Sequence, residues 1–246
     1  VNARHSGLIV VWGKNGMSRV KGRALALVHV IPWLFFVANP VVAGDDAAAA
    51  QEVVDSAKRT LDNFIADPDM FWLREHVDEA RGLLIAPEVL KAGFIFGGSG
   101  GNGVLLARDK NSGEWSAPAF YTIGSVTFGL EIGAETSELV MMAMTRKGLD
   151  SLLINSAKLG TDVTVTAGPV GAGAAAATAD FLAFSRTEGG RASLNLEGSV
   201  VEVWEGLNEA YYGKPVSPVD ILITRKVSNP QSATLVEAVT QVASED

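Results

Sequence analysis

GFIFGGSGGNGVLLAR, residues 93–108, poses a choice between two folds. Within it, Gly98-Ser99-Gly100-Gly101-Asn102-Gly103 spells the G-x-G-x-x-G of dinucleotide-binding units, directly after a run with strand character. That fingerprint works only when the glycines open a helix whose N-terminus meets a pyrophosphate inside a βαβ unit. Here Gly103 is followed by Val104-Leu105-Leu106-Ala107-Arg108 and then by turn chemistry, Asp109-Lys110-Asn111-Ser112-Gly113, so no helix has room to start. The glycines therefore read as a turn between two strands, supplying positive φ or close backbone approach. Nucleotide binding is not expected.

Working outward, short β-prone runs separated by turn residues fill the middle of the chain: GLLIAP (82–87), AGFIFGG (92–98), GVLLAR (103–108) and SAPAFYTIGSVTFGLEIGAE (116–135). Alternation places Tyr121, Ile123 and Ser125 on one face and Thr122, Gly124 and Val126 on the other, as antiparallel strands require. A strand over 138–144 leads into a helix from Thr145, a suitable N-cap, to about Asn155. FLAFSR (181–186) and RASLNLEG (191–198), around Thr187-Glu188-Gly189-Gly190, give a hairpin signal. The Ala/Gly tract 171–180 reads as a small-residue strand against a close neighbour.

Upstream, Val53, Val54, Ala57, Leu61 and Phe64 recur at spacings of three and four, which predicts an amphipathic helix over 47–65. Asp67-Pro68-Asp69 ends it, with Asp69 available to cap a second short helix over about 70–80. Leu235, Val236, Val239 and Val242 predict a terminal helix over 231–243. The fold class is therefore α+β: N-terminal helices packed on a curved, mostly antiparallel sheet, whose closure toward a barrel the pattern leaves open.

Further upstream still, Met17 to Arg23 is a basic run, followed by the apolar stretch 24–38 and Val41-Val42-Ala43. This reads as an export signal over 17–43 cleaved near Ala43, with 1–16 an over-extended start and 44–246 a single domain; a retained anchor is the alternative. The expected location is the periplasm or cell envelope. Losing residues 1–43 removes five basic residues and no acidic one, leaving 15 Lys and Arg against 28 Asp and Glu, a net −13. Such a chain is a poor ligand for the phosphate backbone, and no nucleic-acid partner is expected.

Cysteine is absent, which excludes disulfides, thiolate metal sites and Cys nucleophiles. Two of the three histidines, His5 and His29, lie in the removed segment. His76, the remaining one, reads as a solvated helix residue. Triad catalysis and multi-His zinc sites lack their imidazoles, and no cofactor or metal is expected. Glu131, Glu135 and Glu138 are close enough in sequence to suggest a carboxylate pair, but an acidic surface strand and turn is the favoured explanation, nothing selects one acid as proton donor, and the chain is expected not to be an enzyme.

The motifs EARGLLIAPEVLKAGFIFGGSGGNGVLLAR (79–108), GEWSAPAFYTIGSVTFGLEIGAE (113–135), DVTVTAGPVGAG (162–173), LNLEGSVVEV (194–203) and LNEAYYG (207–213), in this order, resemble the SYLF-domain family from about Val53 to Gly213. The resemblance implies phospholipid binding, phosphoinositide-directed in eukaryotic members and sometimes coupled to actin. Those members carry an SH3 or FYVE domain beside it. With an export signal instead, actin is not an expected partner here; an anionic phospholipid or membrane surface is, and a protein partner is open. Toward lipid, Phe71 and Trp72 beside Arg74, Arg81 and Lys91 are the candidate residues, since aromatics next to cations suit a lipid interface. Inward packing of the two aromatics is the alternative. Trp115 and Tyr121 read as core.

Overall fold

The structure is a computed structural model and describes residues 43–93, 96–128, 133–167, 178–187, 190–191 and 196–244. The chain divides into a unit Val1–Asn39 and a unit Pro40–Asp246, and the described residues all belong to the second. Helix α1 (Ala43–Ala66) forms because Ala50, Val54, Ala57, Leu61 and Phe64 share one stripe, and all five are fully buried. Asp45 and Asp46 in its first turn complement the helix dipole. The expected stop holds, but the cap is Asp67 rather than Asp69: the Asp67 carboxylate accepts from the Asp69 amide at 2.9 Å. A 3₁₀ turn (Pro68–Met70), helix α2 (Phe71–His76) and a second 3₁₀ turn (Val77–Glu79) follow.

Among the described residues nine strands make one sheet: β1 (Gly82–Gly93), β2 (Phe96–Ala107), β3 (Ala119–Phe128), β4 (Gly133–Ala143), β5 (Ser156–Lys158), β6 (Val165–Ala167), β7 (Phe181–Thr187), β8 (Gly190–Arg191) and β9 (Val200–Val203). The order is β5-β9-β3-β2-β1-β4-β7-β6, with β8 beside β7. Every pairing is antiparallel except β6 with β7. Among the described residues β5 and β6 are edges that do not meet, so the curved sheet is a curled half-barrel. Helices α3 (Arg146–Leu152, capped by Thr145 as expected), α4 (Glu205–Tyr212) and α5 (Ala233–Val242) complete the α+β fold.

Both faces of the sheet are covered near the base of its strands. Leu83, Ile85, Val104, Leu106, Phe120 and Phe184 pack with α1, α2, α4 and α5 on one face. Leu84, Leu105, Tyr121, Leu139, Met141 and Phe181 pack with α3 and the Val219–Ile223 π-turn on the other. This is why GLLIA, VLLA and FLAF are continuous apolar runs: a strand buried on both sides has no polar face to show. The hairpin around 187–190 is present, with Arg186 opposite Arg191 and Thr187 opposite Gly190. Residues 171–177 of the Ala/Gly tract lie outside the described residues.

The glycine-rich run is not a turn. Gly98 to Gly103 lie inside β2, paired with β3 throughout and with β1 up to Asn102, and none of their glycines has a positive φ. Close backbone approach is the reason that survives. Strand β1 is bulged: its register shifts between Ile85 and Glu88 against β2, and between Ala86 and Val89 against β4. Pro87, which cannot donate to a ladder, sits in this bulge. Gly103 lies opposite it, and a Cβ there would fall 2.6 Å from the Ile85 carbonyl oxygen; at Gly101 one would collide with the Glu88 carbonyl.

Candidate functional site: the sheet beyond the bulge

Past the bulge the four central strands continue as Glu88–Gly93, Phe96–Asn102, Gly124–Phe128 and Gly133–Ser137, and their two faces differ. Register aligns Ser125, Ser99, Lys91 and Glu135 in one row, with the Ser99 and Ser125 hydroxyls 2.8 Å apart. The opposite face carries Leu90 beside Gly100, and the row Val126, Gly98, Ala92 and Ala134. Val126 is 73% exposed and Leu90 47%, on a floor of glycine and alanine bordered by Thr136 and, toward the bulge, by Glu88. A contiguous exposed apolar surface marks an interaction site far more often than a scattered apolar residue does.

Helix α1 borders this apolar face, and a groove runs between them. Three adjoining hollows share Pro87 and Glu88: one of about 820 Å³ toward β4 and β7, and two of about 390 and 380 Å³ along α1. The groove wall is held by Glu138, which accepts from Thr60 Oγ1 at 2.7 Å and Asn63 Nδ2 at 3.0 Å, and meets Arg186 Nη1 at 3.3 Å. Arg186 also reaches Asp67 at 3.7 Å, so one cluster ties α1 to β4 and β7. Glu138 is thereby a structural residue. Glu135 also lines the largest of these hollows, three residues from Glu138 on β4, where strand alternation directs the two side chains to opposite faces; Glu131 lies outside the described residues.

The five residues selected from sequence for lipid contact occupy separate places. Phe71 is half-exposed on α2. Trp72 faces inward, 6.1 Å from the Phe184 ring and stacked at 3.7 Å on His76, which is therefore half-buried instead of solvated. Arg74 donates to the Ile65 and Asp67 carbonyls at 2.9 and 2.7 Å, closing the end of α1. Arg81 precedes β1 at its base, and Lys91 stands on the far segment of that strand. Ten residues of strand separate them, roughly 30 Å. Trp115 and Tyr121 are core as expected, the Tyr121 hydroxyl donating to the Leu152 carbonyl.

Leu90 and Val126 escaped the sequence reading for a definable reason. The bulge adds a residue and flips parity along β1, so Leu90 shares a face with Leu83 and Ile85 although simple alternation assigns it to that of Leu84. Among the described residues no three His, Asp or Glu side chains converge as a metal site, and no helix is long and apolar enough to cross a membrane.

Comparison with known proteins places these features. Residues 124–242 match the family model described as Ysc84, a Las17-binding protein actin regulator. Protein YSC84 of Saccharomyces cerevisiae is 33% identical over 190 residues, covering 72% of this chain and 40% of that protein. LAS seventeen-binding protein 3 of the same yeast is 35% identical over 142 residues, 54% of this chain and 30% of that protein. The human SH3 domain-containing YSC84-like protein 1 is 31% identical over 161 residues, 63% of this chain and 46% of that protein. The chain thus spans less than half the length of these relatives, and no solved structure matches it. With its ordered motifs, the family-model match and these relatives in agreement, the chain belongs to the SYLF-domain family, the family of YSC84.

Proposed function

We propose that the protein is a non-enzymatic, exported phospholipid-binding protein of the bacterial cell envelope, which meets a membrane through the apolar face beyond the bulge. The observation that carries this reading is the exposure of Val126 and Leu90 on a face of glycine and alanine, with Glu88 only at its inner margin toward the bulge. Removing such a surface from water is favourable by about 25 cal/mol per Å², and membrane contact removes it. The export signal read from residues 17–43 and the lipid binding implied by the family resemblance support the same assignment. Net charge opposes a purely electrostatic attachment to anionic lipid, so apolar contact is the larger share and local cations the smaller.

The test is lipid mass spectrometry on protein purified from its own envelope, with vesicle flotation of the delipidated sample. Lipid should co-purify, the protein should float, and Leu90→Asp with Val126→Asp should abolish flotation. Protein that stays at the bottom, or a double variant that floats as well as the parent, would overturn the proposal.

A second reading, a protein-interaction module acting without lipid, is favoured by the relatives whose names record Las17 binding. Recovery of a stoichiometric protein partner with no co-purified lipid would select it. Actin stands outside both readings, because export would part the protein from it.

A further inference from the structure

At the base of the sheet, far from the apolar face, two arginines stand directly opposite each other. Gly82 pairs with Ala107, and the next step in register joins Arg81 to Arg108, whose amide donates to the Arg81 carbonyl at 2.9 Å. Laterally paired residues project from one face with Cβ atoms about 5 Å apart, and like charges so placed repel. No carboxylate pairs with them directly: neither guanidinium has an acidic group within 4.0 Å among the described residues. Arg108 is held by carbonyls instead, with Nε donating to Gly113 at 3.1 Å and Nη1 to Asp78. Arg81 has a buried Nε with no partner at all. Elsewhere in this acidic chain Arg186, Lys147 and Arg225 each meet a carboxylate.

Both arginines line a cleft of about 300 Å³, with Lys110 beside them. Three acids share the lining. Asp109 is engaged by its own turn, accepting from the Asn111 and Ser112 amides at 2.7 and 3.0 Å. Asp78 and Glu79 are exposed. They repel an extended polyanion, and leave room for a compact anion next to the guanidiniums.

We infer that this cleft is an oxyanion site for a phosphate group, either a phosphomonoester headgroup or a free phosphate. A tetrahedral oxyanion can accept from the terminal nitrogens of Arg81 and from the one Arg108 nitrogen, Nη2, that no carbonyl holds, and such charge-assisted bonds are the strong ones. It would bring a negative charge beside Arg81 and offset the repulsion across the strand pair. The site does not rest on the membrane reading, because a soluble phosphate would satisfy it equally.

The experiment is calorimetric titration of the protein with inorganic phosphate, repeated on Arg81→Gln and Lys91→Gln, and flotation with phosphatidylcholine vesicles containing either phosphatidic acid or phosphatidylglycerol. Arg81 has a buried Nε without a hydrogen-bond partner, so its replacement by Gln breaks no side-chain hydrogen bond or ion pair among the described residues, and the thermal midpoint checks that the fold is intact. Phosphate should bind with an affinity that falls as salt rises; Arg81→Gln should weaken it by about tenfold or more, and Lys91→Gln should leave it unchanged. Added preference for phosphatidic acid, lost in Arg81→Gln, assigns the phosphate to a lipid; phosphate binding without that preference assigns it to a soluble ligand. Absence of phosphate binding, or binding that Arg81→Gln does not weaken, overturns the site. Because the titration uses no vesicle, this failure is separate from failure of the apolar face to bind membrane.

Discussion

Asp180 should act as an acid-sensitive fastener, and its contribution can be worked from its contacts. The side chain is almost fully buried where α3, the approach to β6 and the start of β7 meet. One oxygen accepts from Thr145 Oγ1 at 2.6 Å; the other accepts from Lys147 Nζ and the Thr164 amide, both at 3.0 Å, and from Thr164 Oγ1 at 3.2 Å. Burial alone would push its pKa up, but the hydrogen bonds from Thr145 and Thr164 and the Lys147 ammonium outweigh it and hold the carboxyl at about 2, below its ordinary 3.8. At about 1.4 kcal/mol for each tenfold step in proton affinity, that depression corresponds to roughly 2–3 kcal/mol of folding stability. Since the folded pKa is the lower one, this stability is present above about pH 4 and is lost as pH falls toward 2. Asp180→Asn places an NH₂ where an oxygen now accepts, setting it against Thr145 Oγ1 on one side or against the three donors from Lys147 and Thr164 on the other. The expected cost is about 2–4 kcal/mol near neutral pH. Urea unfolding of both proteins between pH 7 and pH 2 measures it: the gap should be widest at neutral pH and shrink by about 2 kcal/mol on acidification. Asp220, also held at about 2 by Lys226 and Ser217, titrates in both proteins and cancels from the difference. A gap below about 0.5 kcal/mol at neutral pH, or one independent of pH, would refute the reasoning.

Other substitutions test the fold around the bulge and the apolar face. Gly103→Ala puts a methyl 2.6 Å from the Ile85 carbonyl and should lower stability by about 1–3 kcal/mol or more, whereas Gly100→Ala, whose nearest neighbour is 3.9 Å away, should stay within about 0.5 kcal/mol; thermal melts of the pair decide. Asn208 is fully buried and joins α4 to β3, accepting from the Phe120 amide at 3.0 Å and donating to the Phe120 and Trp204 carbonyls at 3.1 Å. Its replacement by Ala leaves these groups unpaired and should cost about 2–4 kcal/mol in urea titration. Val126→Asp, by contrast, alters an exposed residue and should leave the melting temperature within about a degree or two while removing vesicle binding. A large loss of stability there would show that the face is covered.

Much of this protein is legible along the chain. The apolar stripe of α1 is a local periodicity, so Val54, Ala57, Leu61 and Phe64 announce both the helix and its buried side. Thr145 announces a helix start because capping is satisfied within three residues, and its hydroxyl does accept from the Gly148 amide. The failure of Gly98–Gly103 as a nucleotide motif is equally local, since a helix needs sequence that is not there. What the chain could not show are relations between segments distant in sequence. The glycines at 101 and 103 look like a turn until β1 is laid beside them and its bulge demands the space a Cβ would fill. That same bulge flips the parity of β1, so Leu90 comes to lie on the exposed apolar face, while Lys91 turns to the polar one. Arg81 and Lys91 read as neighbours within one motif, yet an extended backbone carries them to opposite ends of a strand. Arg81 instead meets Arg108, a partner that only antiparallel register brings to it. Composition and periodicity are properties of single segments, and they determined the elements; register and bulge are properties of pairs, and only the tertiary structure decided which side chains share a surface.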